Sequence, residues 1–259
     1  MEFQKKKWGT KPQRSSLPLL IGRKPIEEAL EQGKAIEKIF LLRSATGVEV
    51  QHIKQLAKQN QIPLSLVPVE KLNHLTKAPH QGIIALSALI EYMPLQECID
   101  FIVGKGQNPL FVLLDGVTDV RNVGAIARTA LCCGAQVLVL PNSHAASLTE
   151  EAIKSSAGAL HQILLCRVPS VAQAIDIFKL NGIQVLATHL KGSNELFKVD
   201  FTGPSVIVMG AEDKGISKEC IRAADQLIHI PMQGKFDSLN VSVASGMILY
   251  EAMKQRMLH

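Results

Sequence analysis

Two textures of apolar patterning divide the chain. Over residues 18–90, short apolar runs are broken by polar positions. Arg23, Lys24 and Pro25 lead into Ile26, Ala29 and Leu30, which predicts a short helix with proline in its first turn. Residues 36–42 predict a strand, 50–59 a helix through Ile53, Leu56 and Ala57, 63–69 a second strand and 82–89 a third. Residues 91–108 predict a helical connection that runs out at Gly104, Gly106 and Pro109, where a domain boundary is expected.

After Pro109 the strands lose their alternation. Continuous apolar runs recur at 110–114, 137–140, 163–168, 183–187, 205–209 and 227–230, mostly separated by helical spacing. Strands that are apolar on both sides belong to a parallel sheet covered by helices on each face. A long helix over 240–257, with Val243, Met247, Tyr250 and Met253 as apolar positions, closes the chain. The expected layout is a basic arm (1–17), a small α/β domain (18–90), a linker (91–108) and a larger α/β domain (109–259).

Composition narrows the function. With 47% apolar and 20% charged residues in 259, the chain can fill a globular core, and 4% aromatic content makes that core aliphatic. No apolar run is long enough to cross a bilayer, and the basic N-terminus lacks the apolar stretch of a secretory signal. Five cysteines without a CxxC spacing predict neither a zinc site nor a disulfide framework, and fit a reducing cytoplasm. The net charge of +5 is unevenly spread. Residues 1–24 hold seven Lys or Arg against Glu2, a local +6, and the remainder sums to −1. An arm of that kind, carrying Trp8, can bind nucleic-acid phosphates or act only as a solubilising tail.

Three strand-end segments concentrate the candidate chemistry, because open α/β sheets bind ligands beyond the carboxyl ends of their strands. They read DGVTDVRNVGAIARTALCCG (115–134), GAEDKG (210–215) and PMQGKFDSLNVSVASG (231–246). In the first, Val123, Ile126, Ala127, Ala130 and Leu131 form a buried helical stripe, and Arg128 lies off it toward solvent. Asn122 stands at the helix start, where an ordinary N-cap also fits. Glu212 and Asp213 sit between glycines. Ser238 and Asn240 precede the last helix and can cap it. Each signal is weak alone; their joint occurrence at three strand ends suggests one site. The dinucleotide GxGxxG fingerprint, the GxxxxGK[ST] phosphate loop, HExxH and GxSxG are all missing. A nicotinamide-linked oxidoreductase and a metal centre are therefore disfavoured.

The blocks DGVTDVRNVGAIARTA, VIVMGAEDKGI and IPMQGKFDSLNVSVASG resemble, in order and spacing, the three motifs of the SpoU branch of the SPOUT superfamily, RNA ribose 2′-O-methyltransferases. The likeness covers residues 108–257. LIGRKPIEEAL and HQGIIAL are similar to the L30e-like substrate-binding domain of a subgroup that methylates a guanosine of 23S ribosomal RNA. In one departure, Val120 stands where the family usually has proline.

The resemblance implies an α/β catalytic domain with a C-terminal trefoil knot, a homodimer and S-adenosylmethionine as donor. It puts the cofactor against Thr188, Gly210, Ile230 and Leu239, with Ala187, Met232 and Ala244 as neighbours. Arg128, Asn122, Glu212, Ser238 and Asn240 form the implied catalytic set, and Arg23, Lys24 and Arg128 the implied RNA contacts. The family assigns the motif-one arginine a general-base role. A charged guanidinium has no acceptor, so phosphate gripping and alkoxide stabilisation are the easier role for Arg128. Transfer RNA is the competing substrate, and a non-catalytic RNA-binding assembly factor the competing class.

Overall fold

The computed structural model describes residues 19–143, 145–234 and 238–258. The expected basic arm, 1–17, lies outside them. The described chain runs β1 (Leu19–Ile21), α1 (Arg23–Glu31), β2 (Ile36–Leu42), α2 (Val48–Gln59), β3 (Leu64–Val67), α3 (Val69–Leu75) and β4 (Ile83–Ser87). There follow α4 (Leu95–Gly104), β5 (Leu110–Asp115), α5 (Val120–Cys132), β6 (Val137–Pro141), α6 (Glu150–Ser155), β7 (Leu164–Val168) and α7 (Val171–Leu180). It closes with β8 (Gln184–Thr188), β9 (Asn194–Glu195), β10 (Ser205–Gly210), α8 (Lys218–Ala223), β11 (Gln226–His229) and α9 (Val241–Leu258).

The first four strands make a mixed sheet in the order β1-β4-β2-β3. Helices α1 and α2 bury Ile26, Leu30, Val50 and Ile53 on it against Ile39, Leu41 and Ile83. The remaining strands form a seven-stranded sheet, β7-β6-β5-β10-β8-β11-β9, in which every pairing is parallel. Alternate residues of its strands feed two cores. Leu110, Val112, Leu114, Leu138 and Ile207 face α5, α6 and α9, while Phe111, Leu113, Val139 and Val206 face α4, α7 and α8. Each such fully buried apolar side chain contributes roughly 1.5–3 kcal/mol.

Helix α4 occupies the stretch expected as a linker. It buries Leu95, Cys98, Ile99 and Ile102 in the second of these cores, so it is packed as part of the larger domain. The strand order also departs from chain order. β10 enters between β5 and β8, and β11 lies between β8 and β9. From the end of β11 the chain returns past the ends of β10 and β5, because Asn240, at the start of α9, bonds residues that follow both strands. No helix among the described residues is long and apolar enough to cross a membrane.

Candidate active site

The loop after β5 begins with a buried acid. Asp115 ends an otherwise apolar strand, and its Oδ2 accepts from the Ser217 backbone N–H at 2.6 Å, tying the loop after β10 to the end of β5. Helix α5 starts at Val120, two residues earlier than Asn122. Its N-cap is Asp119, which accepts from Arg121 N–H at 2.8 Å. Asn122 is therefore not a cap, and its side chain is free to reach another loop. The Asn122 amide donates to Glu212 Oε1 at 3.1 Å.

Glu212 stands in a tight turn closed by paired backbone bonds between Ala211 and Gly215. That turn folds back on Gly210 so closely that a Cβ there would sit 2.4 Å from backbone atoms of Gly215 and Ile216. The same Glu212 oxygen accepts from Asn240 Nδ2 and, at 3.4 Å, from Val241 N–H. Asn240 Nδ2 also donates to Asn122 Oδ1 at 3.2 Å, while Asn240 Oδ1 accepts from Ser242 N–H at 2.9 Å as the cap of α9. One residue from each of the three strand-end loops thus meets the others. Asp213 does not join them.

Beside this cluster lies a cavity of about 480 Å³, within the size range of small-molecule sites. Its floor is apolar, with Met209, Ile228, Ile248 and Val241, and His189, Lys191 and Lys214 bring polar groups to its wall. Thr188, Gly210, Ile230, Met232, Leu239 and Ala244 all line it, as do Glu212 and Ser238. Ala187 does not. In a strand neighbouring residues face opposite sides, and Ala187 is buried under the sheet with Val206 and Val208. Thr188 points the other way and donates its hydroxyl to Val208 C=O at 3.0 Å.

Arg128 is exposed, as its position on the helix predicts, and its side chain makes no hydrogen bond or ion pair with another described residue. Six residues separate it from Asn122, about 9 Å along α5 and a third of a turn round its axis, so it stands outside the cluster. Ser238 is exposed on the cavity rim. In the small domain Arg23 is tethered, with its guanidinium 3.3 Å from Glu49 and bonded to Gln81 C=O, whereas Lys24 is exposed. Gly47 lies beside Arg23, since a Cβ on it would meet Arg23 Nη1 at 3.6 Å, and exposed Arg43 belongs to the same loop as Gly47.

Sequence reasoning passed over Asp115, His189 and His229. A lone acid at the end of an apolar strand was the available signal for Asp115. His229 lines the cavity, and its buried Nδ1 has no hydrogen-bond partner among the described residues. Nor does any local pattern signal the cluster of Glu27, Glu31 and His52 on α1 and α2, which lies in the small domain.

Comparison with known proteins agrees with both halves of this arrangement. Residues 109–250 match the SpoU rRNA Methylase family, and residues 19–93 match the domain described as RNA 2'-O ribose methyltransferase substrate binding. A TrmH family tRNA/rRNA methyltransferase of Bacillus subtilis (strain 168), YacO, is 33% identical over 237 residues, 92% of this chain and 95% of that protein. An AdoMet-bound rRNA methyltransferase from Sinorhizobium meliloti superposes with a TM-score of 0.58 at 27% identity, over 91% of this chain and 86% of that one. The TrmH/SpoU tRNA modifying enzyme of A. aeolicus gives 0.54 at 37% identity, over 59% of this chain and 77% of its own. The two domains, the shared site of three loops and these likenesses lead to one assignment: the chain belongs to the SpoU family of RNA ribose 2′-O-methyltransferases, enzymes that take their methyl group from S-adenosylmethionine.

Proposed function

We propose that this chain methylates a ribose 2′-hydroxyl of structured RNA, a guanosine of 23S ribosomal RNA, in the cytoplasm. The observation that carries the reading is the junction of Asn122, Glu212 and Asn240 on the rim of a cavity with an apolar floor and a polar wall. The floor suits the adenine ring, and the cationic groups Lys191 and Lys214 suit the carboxylate of the donor. S-adenosylmethionine supplies an already activated methyl on a sulfonium. The protein's task is then to align the ribose oxygen with the S–CH₃ bond and to ease loss of its proton. Alignment in a near-attack geometry can supply ~7–11 kcal/mol.

Glu212 accepts from two side-chain amides and a backbone N–H through its Oε1, so its work is to hold the three loops in register. Asn122 and Asn240, held by it, position the nucleotide. Arg128, exposed and unpaired with other described residues, grips a phosphate and stabilises the alkoxide that develops on the ribose. Lys24 and Arg43, both exposed on the small domain, offer its contact to the RNA backbone.

The working unit in this reading is a homodimer. Val243, Met247, Tyr250, Met257 and Leu258 are exposed and fall on one narrow face of α9. A stripe of that kind on a helix marks a contact surface, and a second copy of the same helix can cover it.

Ribosomal rather than transfer RNA is favoured by extent of likeness. The rRNA methyltransferase neighbour spans both domains, whereas the tRNA modifying enzyme matches 59% of the chain. Methyl transfer from labelled S-adenosylmethionine to deproteinised 23S RNA, run beside total transfer RNA, tests this. Label in the ribosomal RNA is expected; label in transfer RNA alone would overturn the substrate assignment.

A further inference from the structure

The two domains are joined by a buried ion pair. Glu37, on β2 of the small domain, is 1% exposed, and Arg167, on β7 of the large one, is 8% exposed. Arg167 Nη2 donates to Glu37 Oε1. Tyr92, from the connection between domains, donates its hydroxyl to Glu37 Oε2 at 2.6 Å and accepts from Arg167 Nη2 at 3.0 Å. The guanidinium carbon lies 4.7 Å from the centre of the Tyr92 ring. The next residue, Met93, donates its N–H to Leu165 C=O on β7 at 2.8 Å. The connection is therefore fastened to the large sheet.

Glu37 has been aimed there by the backbone. β2 pairs Ile36 with Ser87 and Lys38 with Leu86, leaving Glu37 as the extra residue of a bulge. A bulge redirects one side chain out of the strand's alternation. Regular alternation from Ile39 and Leu41 would put Glu37 on the face that packs with Ile36 against α1 and α2; the bulge leaves it facing Arg167, Tyr92 and Leu148 instead.

The same carboxylate reaches toward the catalytic helix. Glu37 Oε1 accepts from Leu148 N–H at 2.9 Å, two residues before α6 begins. Helix α6 packs on α5 at van der Waals limit: a Cβ on Gly124 would lie 1.9 Å from Ser155 Oγ and 2.6 Å from Ala152 C=O. Gly124 sits on α5 between Asn122 and Arg128.

Stability alone is a poor reason for this arrangement. Buried ion pairs rarely outperform apolar residues of similar volume, and Arg167 Nε is left buried without a partner among the described residues. What directional bonds supply, and a greasy contact does not, is a single relative orientation. We propose that Glu37 is a positioning residue for methyl transfer: its bonds to Arg167, Tyr92 and Leu148 fix the RNA-binding domain in the one orientation that presents the target ribose to the cavity. This rests on the methyltransferase reading above.

The test is Glu37→Gln in the full-length protein, with Glu37→Asp as the conservative variant. At saturating RNA, Glu37→Gln lowers the single-turnover rate about ten- to a hundredfold, the scale of a small misplacement of reacting groups. Its dissociation constants for RNA and for S-adenosylmethionine stay within about twofold of wild type, and Glu37→Asp regains part of the rate. Small-angle scattering shows a more extended particle for Glu37→Gln than for wild type. A wild-type rate with unchanged scattering overturns the proposal, and so does an equal loss of donor affinity, which would mean general damage. If Glu37→Gln does not fold, Tyr92→Phe is read the same way, and an unchanged rate and particle size again refute it. A wild-type protein inert on every RNA would sink the methyltransferase reading instead, while scattering would still decide whether Glu37 fixes the domains.

Discussion

Asn240 and Glu212 are 28 residues apart and meet side chain to side chain, with the Asn240 amide donating to the Glu212 carboxylate. The same Asn240 caps α9 through its other amide atom. One residue thus starts the last helix and locks it to the loop after β10. Asn240→Ala removes both roles. It should destabilise the protein by about 1–2 kcal/mol, read as a lower denaturation midpoint. The rate of methyl transfer should fall further than this instability explains, when compared at a temperature where both proteins are folded. A rate equal to wild type would free Asn240 from any part in the site.

Gly210 is where the cavity and the turn share backbone. Because a Cβ there collides with backbone of Gly215 and Ile216 rather than with a flexible side chain, the turn cannot close over it. Gly210→Ala should displace Glu212 and weaken S-adenosylmethionine binding at least ~10-fold by calorimetry, an effect of a displaced wall on a preformed pocket. Binding at wild-type strength would show that the turn has room that its geometry denies.

The outward stripe of α9 predicts self-association. Met247→Glu combined with Tyr250→Glu places two charges on it without touching the buried positions Ile248 and Leu249. Sedimentation should show a dimer for the wild type and a monomer for the double variant. Should both sediment alike, the stripe serves something other than a second copy.

Alkaline stability depends on a buried thiol. Burial, helped by the nearby charge of Asp115, pushes the Cys220 thiol up to about 12 from its ordinary 9.0. An acid whose folded pKa is raised holds its proton while the unfolded chain gives it up. Its stabilising share is complete below about pH 9 and is lost as pH rises toward about 12. Tyr92, raised by burial and by Glu37, acts in the same sense. Cys220→Val should flatten the decline in unfolding free energy across this window, measured by denaturant titration; an unchanged decline would assign it to other groups.

Much of the fold was legible along the chain. The continuous apolar runs at 110–114, 137–140 and 205–209 coincide with β5, β6 and β10 to within a residue or two, because a strand buried on both faces tolerates no polar alternation. The order in which strands insert was not legible. β10 fits between β5 and β8 through contacts more than ninety residues apart in one case, and local pattern carries no record of them. The short elements β1, α3 and β9 were missed for a related reason. Leu19–Ile21 is a strand because β4 pairs with it.

The site was legible in membership more than in geometry. Glycine-flanked polar residues at three strand ends pointed to Asn122, Glu212 and Asn240. The turn at Asp119 moved the helix start upstream, and only then could Asn122 bond across the loops. Of the apolar positions that the sequence marks on α9, Val243, Met247 and Tyr250 face out, whereas Met253 packs against the core beside Ile248, Leu249 and Ala252. Both faces of that helix are apolar, so periodicity alone cannot tell a core from an interface.

Digestion of product RNA to nucleosides, followed by mass analysis, tests the central claim most directly. Wild-type protein, S-adenosylmethionine and ribosomal RNA should yield 2′-O-methylguanosine, and Arg128→Ala should lower that yield at least ~100-fold while its affinity for the donor stays near wild type. A methyl group found on a base, no methylated nucleoside at all, or an Arg128→Ala protein that works normally would contradict it.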